Sequence, residues 1–126
     1  MATRYWVDKA QDLITIECYD NVDMCEFATQ ILRMNGDPDC VGVSKRLVDV
    51  RNAKIDGPVS AFRALVRLFA CSIRELQTGR VVILVNKRAG LDWAHSLFGL
   101  VEPRKSDIVM CHTGTDACEL LNIQDL

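Results

Sequence analysis

The residues of this chain that could carry chemistry are two histidines, six cysteines and one short cationic segment. His112 follows Cys111 at the end of a predicted strand, where open α/β sheets bind their ligands. His95 falls within a predicted helix. Neither histidine lies in a nucleophile motif, which needs Ser, Cys or Thr within hydrogen-bond reach of a base. We therefore expect no enzyme activity; an enzyme would have to depend on Cys111 or His112.

Metal and phosphate sites are also only weakly indicated. Cys111 and His112 are adjacent, and successive strand residues point to opposite faces, so they do not converge on one ion. Residues 87–90, Lys-Arg-Ala-Gly, place two cations and one glycine before a predicted helix, where backbone amides attract anions. A solvated loop is the simpler interpretation of that segment. We expect no metal and no cofactor.

Composition indicates one folded domain over residues 1–126, because 49% of the residues are hydrophobic and 25% are charged. The net charge of −2 and the lack of a Lys/Arg run indicate that the chain has no basic patch for binding nucleic acid. Residues 1–12 contain no apolar signal core, and no apolar run reaches the length of a membrane span. We expect a cytoplasmic protein with reduced thiols at Cys18, Cys25, Cys40, Cys71, Cys111 and Cys118.

Apolar patterning predicts strands and helices that alternate along the chain. Strands are predicted at residues 5–7, 13–18, 43–50, 80–85 and 108–111. The first predicted helix is capped by Asp20 or Asn21 and stops in a left-handed turn at Asn35-Gly36. The others begin near Pro58, Leu91 and Thr115 or Asp116. The order β-β-α-β-α-β-α-β-α predicts an α/β fold: a mixed, mostly parallel five-stranded sheet with four helices and an antiparallel first strand at the edge.

The predicted second helix carries a basic stripe. Helical spacing places five residues within roughly 60° of one another: Ser60, Arg63, Arg67, Cys71 and Arg74. Arginine binds carboxylates and phosphates through paired donors, so the stripe fits an acidic partner. A face that is simply solvated is the alternative.

The predicted third helix has two apolar stripes, of which only one can face the sheet. The first contains Leu91, Ala94, Phe98 and Val101, and the second contains Trp93, Leu97 and Leu100. The stripe left over must be covered by the same domain, by a second copy of the chain or by a lipid-like ligand.

Three stretches carry a resemblance to a known family: LVDVRNAKIDGPVSAFRALV, RVVILVNKRAGLDWAHSLF and DIVMCHTGTDACELL. With them, nearly the whole chain resembles the SpoIIAA-like group of STAS domains, which are related to bacterial anti-sigma-factor antagonists. The resemblance implies a five-stranded sheet with four helices and, in antagonist members, a phosphorylated serine at the start of the second helix. Here Asp56 matches that motif, Gly57 and Pro58 stand in place of the serines, and Ser60 is displaced.

These observations together predict a bacterial, non-enzymatic regulatory or protein-interaction module without the usual switch serine. Its partner surface is expected to comprise Asp49, Asp56, Gly57, Ser60, Arg63, Arg67 and Arg74. The alternative is a carrier or sensor of a small apolar ligand such as a lipid. That ligand, or a second copy in a dimer, would contact Trp93, Leu97, Phe98 and Leu100.

Overall fold

The fold is built on one five-stranded sheet. The computed structural model describes residues 2–56, 80–86 and 108–125. The strands are ordered β1-β2-β3-β4-β5 and comprise Thr3–Asp8 (β1), Leu13–Asp23 (β2), Lys45–Asp56 (β3), Arg80–Leu84 (β4) and Ile108–Cys111 (β5). Strand β1 is antiparallel to β2, and the other neighbours are parallel. The predicted mixed, mostly parallel sheet with an antiparallel edge strand is therefore confirmed.

Besides a short 3-10 helix at Pro38–Cys40, two α-helices lie in the described part of the chain, namely Met24–Asn35 (α1) and Gly114–Leu121 (α2). They correspond to the first and last of the four predicted helices. The predicted second and third helices lie outside the described residues, and so do their basic and apolar stripes.

The core consists of two apolar layers, one on each face of the sheet. Phe27, Ile31 and Met34 of α1 pack against the layer that contains Ile14, Ile16, Val48, Val81 and Ile83. Ala117 and Leu121 of α2 pack against the other layer, which contains Leu13, Leu47, Val82 and Leu84. Residues from 81 to 84 in β4 are at most 2% exposed, so the apolar run Val-Val-Ile-Leu is covered on both faces of the sheet, as its composition predicts.

The boundary between β2 and α1 lies further along the chain than the sequence predicts. Strand β2 continues to Asp23, because its second half pairs with β3 from Tyr19↔Asn52 to Asp23↔Asp56. Asp23 caps α1 by accepting hydrogen bonds from the amides of Cys25 (2.5 Å) and Glu26 (3.4 Å). The predicted caps, Asp20 and Asn21, are therefore wrong.

The backbone conformation at the end of α1 also differs from the one predicted. Gly36 ends the helix with φ −92°, which is a right-handed conformation, and its amide donates to the carbonyls of Leu32 and Arg33. The predicted left-handed turn is therefore wrong, although its position is correct.

Two further boundaries differ at the carboxyl side of the sheet. Residues 52–56, predicted to be a loop, form the end of β3. Thr113 caps α2 by accepting a hydrogen bond from the amide of Asp116 (3.1 Å), in place of the predicted caps Thr115 and Asp116. Asp49 and Asp56, both expected in the partner surface, thus lie in a strand held by backbone pairing.

The described cysteines are all free thiols: Cys18, Cys25, Cys40, Cys111 and Cys118. Cys18, Cys40 and Cys111 are buried, in keeping with thiols that act as small hydrophobes. Cys25 is exposed on α1. Neither helix in the described ranges is long and apolar enough to cross a membrane.

Candidate interaction surface

Charged side chains gather on the α2 side of the sheet, around the middle of β2 and β3. Register places Arg4, Glu17, Asp49, Leu84 and Cys111 side by side on the five successive strands. Directly paired residues share a face. Leu84 and Cys111 belong to the apolar layer under α2. The part of the row on β1, β2 and β3 is therefore charged, and the part on β4 and β5 is apolar.

A β-bulge in β3 organises the central pair of this row. Cys18 of β2 lies opposite two residues, Val50 and Arg51, because the register shifts between Glu17 and Tyr19. The extra residue leaves the ladder, and the amide of Arg51 instead donates to Oδ1 of Asp49 (3.1 Å). The Arg51 guanidinium adds Nε–Oδ1 (3.1 Å) and Nη2–Oδ2 (2.9 Å) contacts. Asp49 thus fixes both the bulge and the direction of Arg51.

The Asp49–Arg51 pair is only partly exposed. The side chain of Asp49 is 13% exposed and that of Arg51 is 38% exposed, so the guanidinium is the half that reaches solvent. The hydrogen bonds to Asp49 raise the pKa of Arg51 against the lowering effect of partial burial, and the charges of Asp49 and Glu17 also raise it. The guanidinium therefore stays charged throughout the physiological pH range.

A second ion pair and an aromatic ring continue this surface at β1. Arg4 contacts Oε1 of Glu17 through Nε (2.9 Å) and Nη2 (2.7 Å). Its guanidinium lies 5.5 Å from the centre of the Trp6 ring, within the range of a cation–π contact. Trp6 is 44% exposed. We call Arg4, Trp6, Glu17, Asp49 and Arg51 the charged face.

Cys111 and His112 at the end of β5 are held apart from each other. The Sγ of Cys111 lies 3.8 Å from the carbonyl of Thr113, and Nδ1 of His112 lies 3.4 Å from the carbonyl of Val85. Burial raises the pKa of the Cys111 thiol, and the charge of Asp116 raises it further. Catalytic thiols need the opposite shift, so this environment fits a structural cysteine.

The sequence-predicted site residues fall mostly outside the described part of the chain. Asp49 lies on the charged face, and Asp56 is the last residue of β3. The remaining partner-binding candidates lie outside the described residues: Gly57, Ser60, Arg63, Arg67 and Arg74. The same holds for the apolar candidates Trp93, Leu97, Phe98 and Leu100. Of the predicted set, the structure therefore places only Asp49 on a described surface.

Sequence reasoning missed Arg51 as a site residue, and it also missed Arg4, Trp6 and Glu17. Their signal is present as alternation in the first two strands, where Arg4 and Trp6 occupy one face of β1 and Tyr5 the other. Pairing Arg4 with Glu17 requires the β1–β2 register, which the sequence does not fix.

No group of three or more His, Cys, Asp or Glu side chains that could hold a metal ion is found among residues 2–56, 80–86 and 108–125. No family model and no curated protein matches the chain.

An open groove lies beside β1, on the edge of the sheet. It has a volume of about 780 Å³ and is lined by Tyr5, Trp6, Val7, Asp8, Lys9, Asp37 and Asp39. The hydroxyl of Tyr5 donates to Oδ2 of Asp37 across it (2.7 Å). This bond raises the pKa of Tyr5 to about 12 and lowers the pKa of Asp37. We call this feature the edge groove.

The Tyr5–Asp37 hydrogen bond should shift the pH at which Tyr5 ionises. The ultraviolet absorbance difference between wild type and Tyr5→Phe should titrate near pH 12, and in an Asp37→Asn background it should return toward 10.0. Because the pKa of Tyr5 is raised on folding, its contribution to stability should be complete below pH 10.0 and lost as pH rises through about 12. Ionisation of Tyr5 near pH 10 in the wild type would show that the bond is absent.

Proposed function

We propose that the chain is a non-enzymatic, regulatory protein-interaction module that docks a partner through the charged face. The observation that carries this proposal is the juxtaposition of Arg4, Arg51 and the half-exposed Trp6 on one face of the sheet, where Glu17 and Asp49 pair with the two guanidiniums. The resemblance to anti-sigma-factor antagonists supports the same class of function.

The residue types of the charged face suit a protein interface. Trp and Arg are enriched among the residues that dominate binding energy, and Trp6 offers a large ring at low entropic cost. The Arg4–Glu17 pair has side chains that are 63% and 30% exposed. Exposed pairs contribute only about 0–1 kcal/mol to folding, so Arg4 can exchange Glu17 for a carboxylate of the partner at little cost.

The thiols support a binding role over a catalytic one. Burial raises the pKa of Cys18 to about 12 and that of Cys40 to about 11. The pKa of Cys111, the thiol at the ligand-binding end of the sheet, is raised as well. A nucleophile would need a base or a cation that lowers its pKa, and the net shift of each of these thiols is upward.

Affinity capture with matched variants tests the proposal. Arg4→Gln/Arg51→Gln and Trp6→Ala should each weaken capture of a specific partner at least about tenfold, because interface Trp and Arg side chains contribute roughly 1–4 kcal/mol. Arg63→Gln/Arg67→Gln/Arg74→Gln should also weaken capture if the basic stripe of the predicted second helix is part of the docking surface. Arg33→Gln, an exposed position in the last turn of α1, is the control and should leave capture unchanged.

Equal capture by the wild type and by the Arg4→Gln/Arg51→Gln and Trp6→Ala variants would remove the charged face from the function. Circular dichroism of each variant establishes that a loss of capture does not arise from unfolding.

A further inference from the structure

Strand β1 has an edge that no other described strand covers. The amide of Tyr19 donates to the carbonyl of Ala2 (2.9 Å), which fixes the alternation of the antiparallel ladder. The backbone N–H and C=O groups point toward β2 at Arg4, Trp6 and Asp8, and they point outward at Thr3, Tyr5 and Val7. Nε2 of Gln30 donates to the carbonyl of Thr3 (3.1 Å), in agreement with this direction. Tyr5 and Val7 therefore present backbone donors and acceptors to the edge groove.

Backbone groups in this arrangement are a template for another strand. An extended peptide can add to an exposed sheet edge, with main-chain hydrogen bonds providing affinity and flanking pockets selecting alternate side chains. The edge groove runs along the same residues, from Tyr5 to Lys9, and its far wall is formed by Asp37 and Asp39. Its open volume of about 780 Å³ lies where such a strand would lie.

The charges of the groove select the kind of peptide. Its lining contains three aspartates and one lysine, a net charge of −2. Hydrogen bonding lowers the pKa of Asp8 and of Asp37, so both carboxylates are ionised at neutral pH. The Lys9–Asp39 pair is long (3.7 Å), with side chains 74% and 72% exposed, so a cation from a partner can replace Lys9.

We infer that the outer edge of β1 binds an extended, cationic segment of a partner protein, which adds as a sixth strand and places Lys or Arg side chains against Asp37 and Asp39. The inference rests on the proposed interaction function and names the chemistry of one partner segment. Side chains alternate across a strand, so every second residue of the segment would face the aspartates. The intervening residues would lie on the side of Trp6.

An alternating peptide of the length of β1, Lys-Val-Lys-Val-Lys-Val, is the probe. It should bind the full chain, and hydrogen exchange should slow at the amides of Tyr5 and Val7. Glu-Val-Glu-Val-Glu-Val should bind at least about tenfold more weakly, because its negative side chains are repelled by the negatively charged groove. N-methylation of the amides along one edge of the Lys-Val peptide should abolish binding, while N-methylation along the other edge should be tolerated.

Variants of the protein complete the test. Asp37→Asn/Asp39→Asn should weaken binding of the Lys-Val peptide roughly fivefold to thirtyfold, as expected for the loss of two surface charge pairs. Asp20→Asn is the matched control and should leave affinity unchanged. Asp20 is exposed on the neighbouring strand at φ 56°, a conformation that asparagine also adopts.

Three results would overturn the inference: no binding of the Lys-Val peptide, equal binding of both N-methylated forms, or unchanged exchange at Tyr5 and Val7. A dimer seen by sedimentation and abolished by Val7→Pro would show that a second copy occupies the edge, which also overturns it. Partner capture that is lost in Arg4→Gln/Arg51→Gln but retained in Asp37→Asn/Asp39→Asn would reject this inference and leave the proposed function standing.

Discussion

Replacing Ile31 by alanine should lower the free energy of unfolding by about 2–5 kcal/mol, the range for deleting a large aliphatic side chain from a packed core. Ile31 is 0% exposed and lies in the apolar layer between α1 and the sheet. The loss combines the lost burial of the side chain with the cavity that remains after its removal. Urea denaturation, with the slope compared between variants, measures it.

Leu32 is the matched control for this prediction. It neighbours Ile31 in the same helix and has a side chain of the same composition, but it is 59% exposed. Leu32→Ala should change stability by no more than about 0.5 kcal/mol. Equal losses for the two variants would mean that α1 does not present Ile31 to the sheet, and the packing of the α1 layer would have to be revised.

The cysteines should react with a mild thiol reagent at widely different rates. The pKa of Cys18 rises from 9.0 to about 12 on burial, which lowers its thiolate fraction near neutral pH roughly 1,000-fold, because each pKa unit is a factor of ten. The pKa of Cys40 rises from 9.0 to about 11, which corresponds to roughly 100-fold. Among the described cysteines, exposed Cys25 should label first, and Cys111 should label slowly.

Peptide mapping by mass spectrometry assigns each label to its cysteine, and the denatured chain provides the control, since all its thiols should then react at similar rates. Labelling of Cys111 ahead of Cys25 in the folded protein would indicate an activated thiol. An enzyme that depends on Cys111 or His112 would then become the better account of the function.

Much of the sheet could be predicted from the sequence because its strands are apolar and bounded by polar residues. The alternation from Leu13 to Cys18 and the run RVVIL are sufficient to place β2 and β4. The extensions of β2 to Asp23 and of β3 to Asp56 could not be predicted. Asp, Asn, Ala and Lys are depleted in strands, and there the backbone pairing of two long neighbours overrides their propensity.

The charged face could be predicted only in part, for a related reason. Asp49 lies at the carboxyl end of the strand predicted at residues 43–50, and this position made it a candidate. The bulge that turns the amide of Arg51 toward Asp49 depends on the register between β2 and β3. The edge groove depends on how the turn after α1 approaches β1, which brings Asp37 within 2.7 Å of Tyr5. Contacts between residues so distant in sequence leave no local pattern.

Hydrogen exchange of the chain, alone and bound to its captured partner, tests most directly whether the charged face is the docking surface. We predict slower exchange in the bound state for the peptides that contain Arg4, Trp6 and Arg51, and unchanged exchange around Leu32 and Arg33 on the outer side of α1. Protection confined to the outer side of α1, with none at Arg4, Trp6 or Arg51, would contradict the proposal.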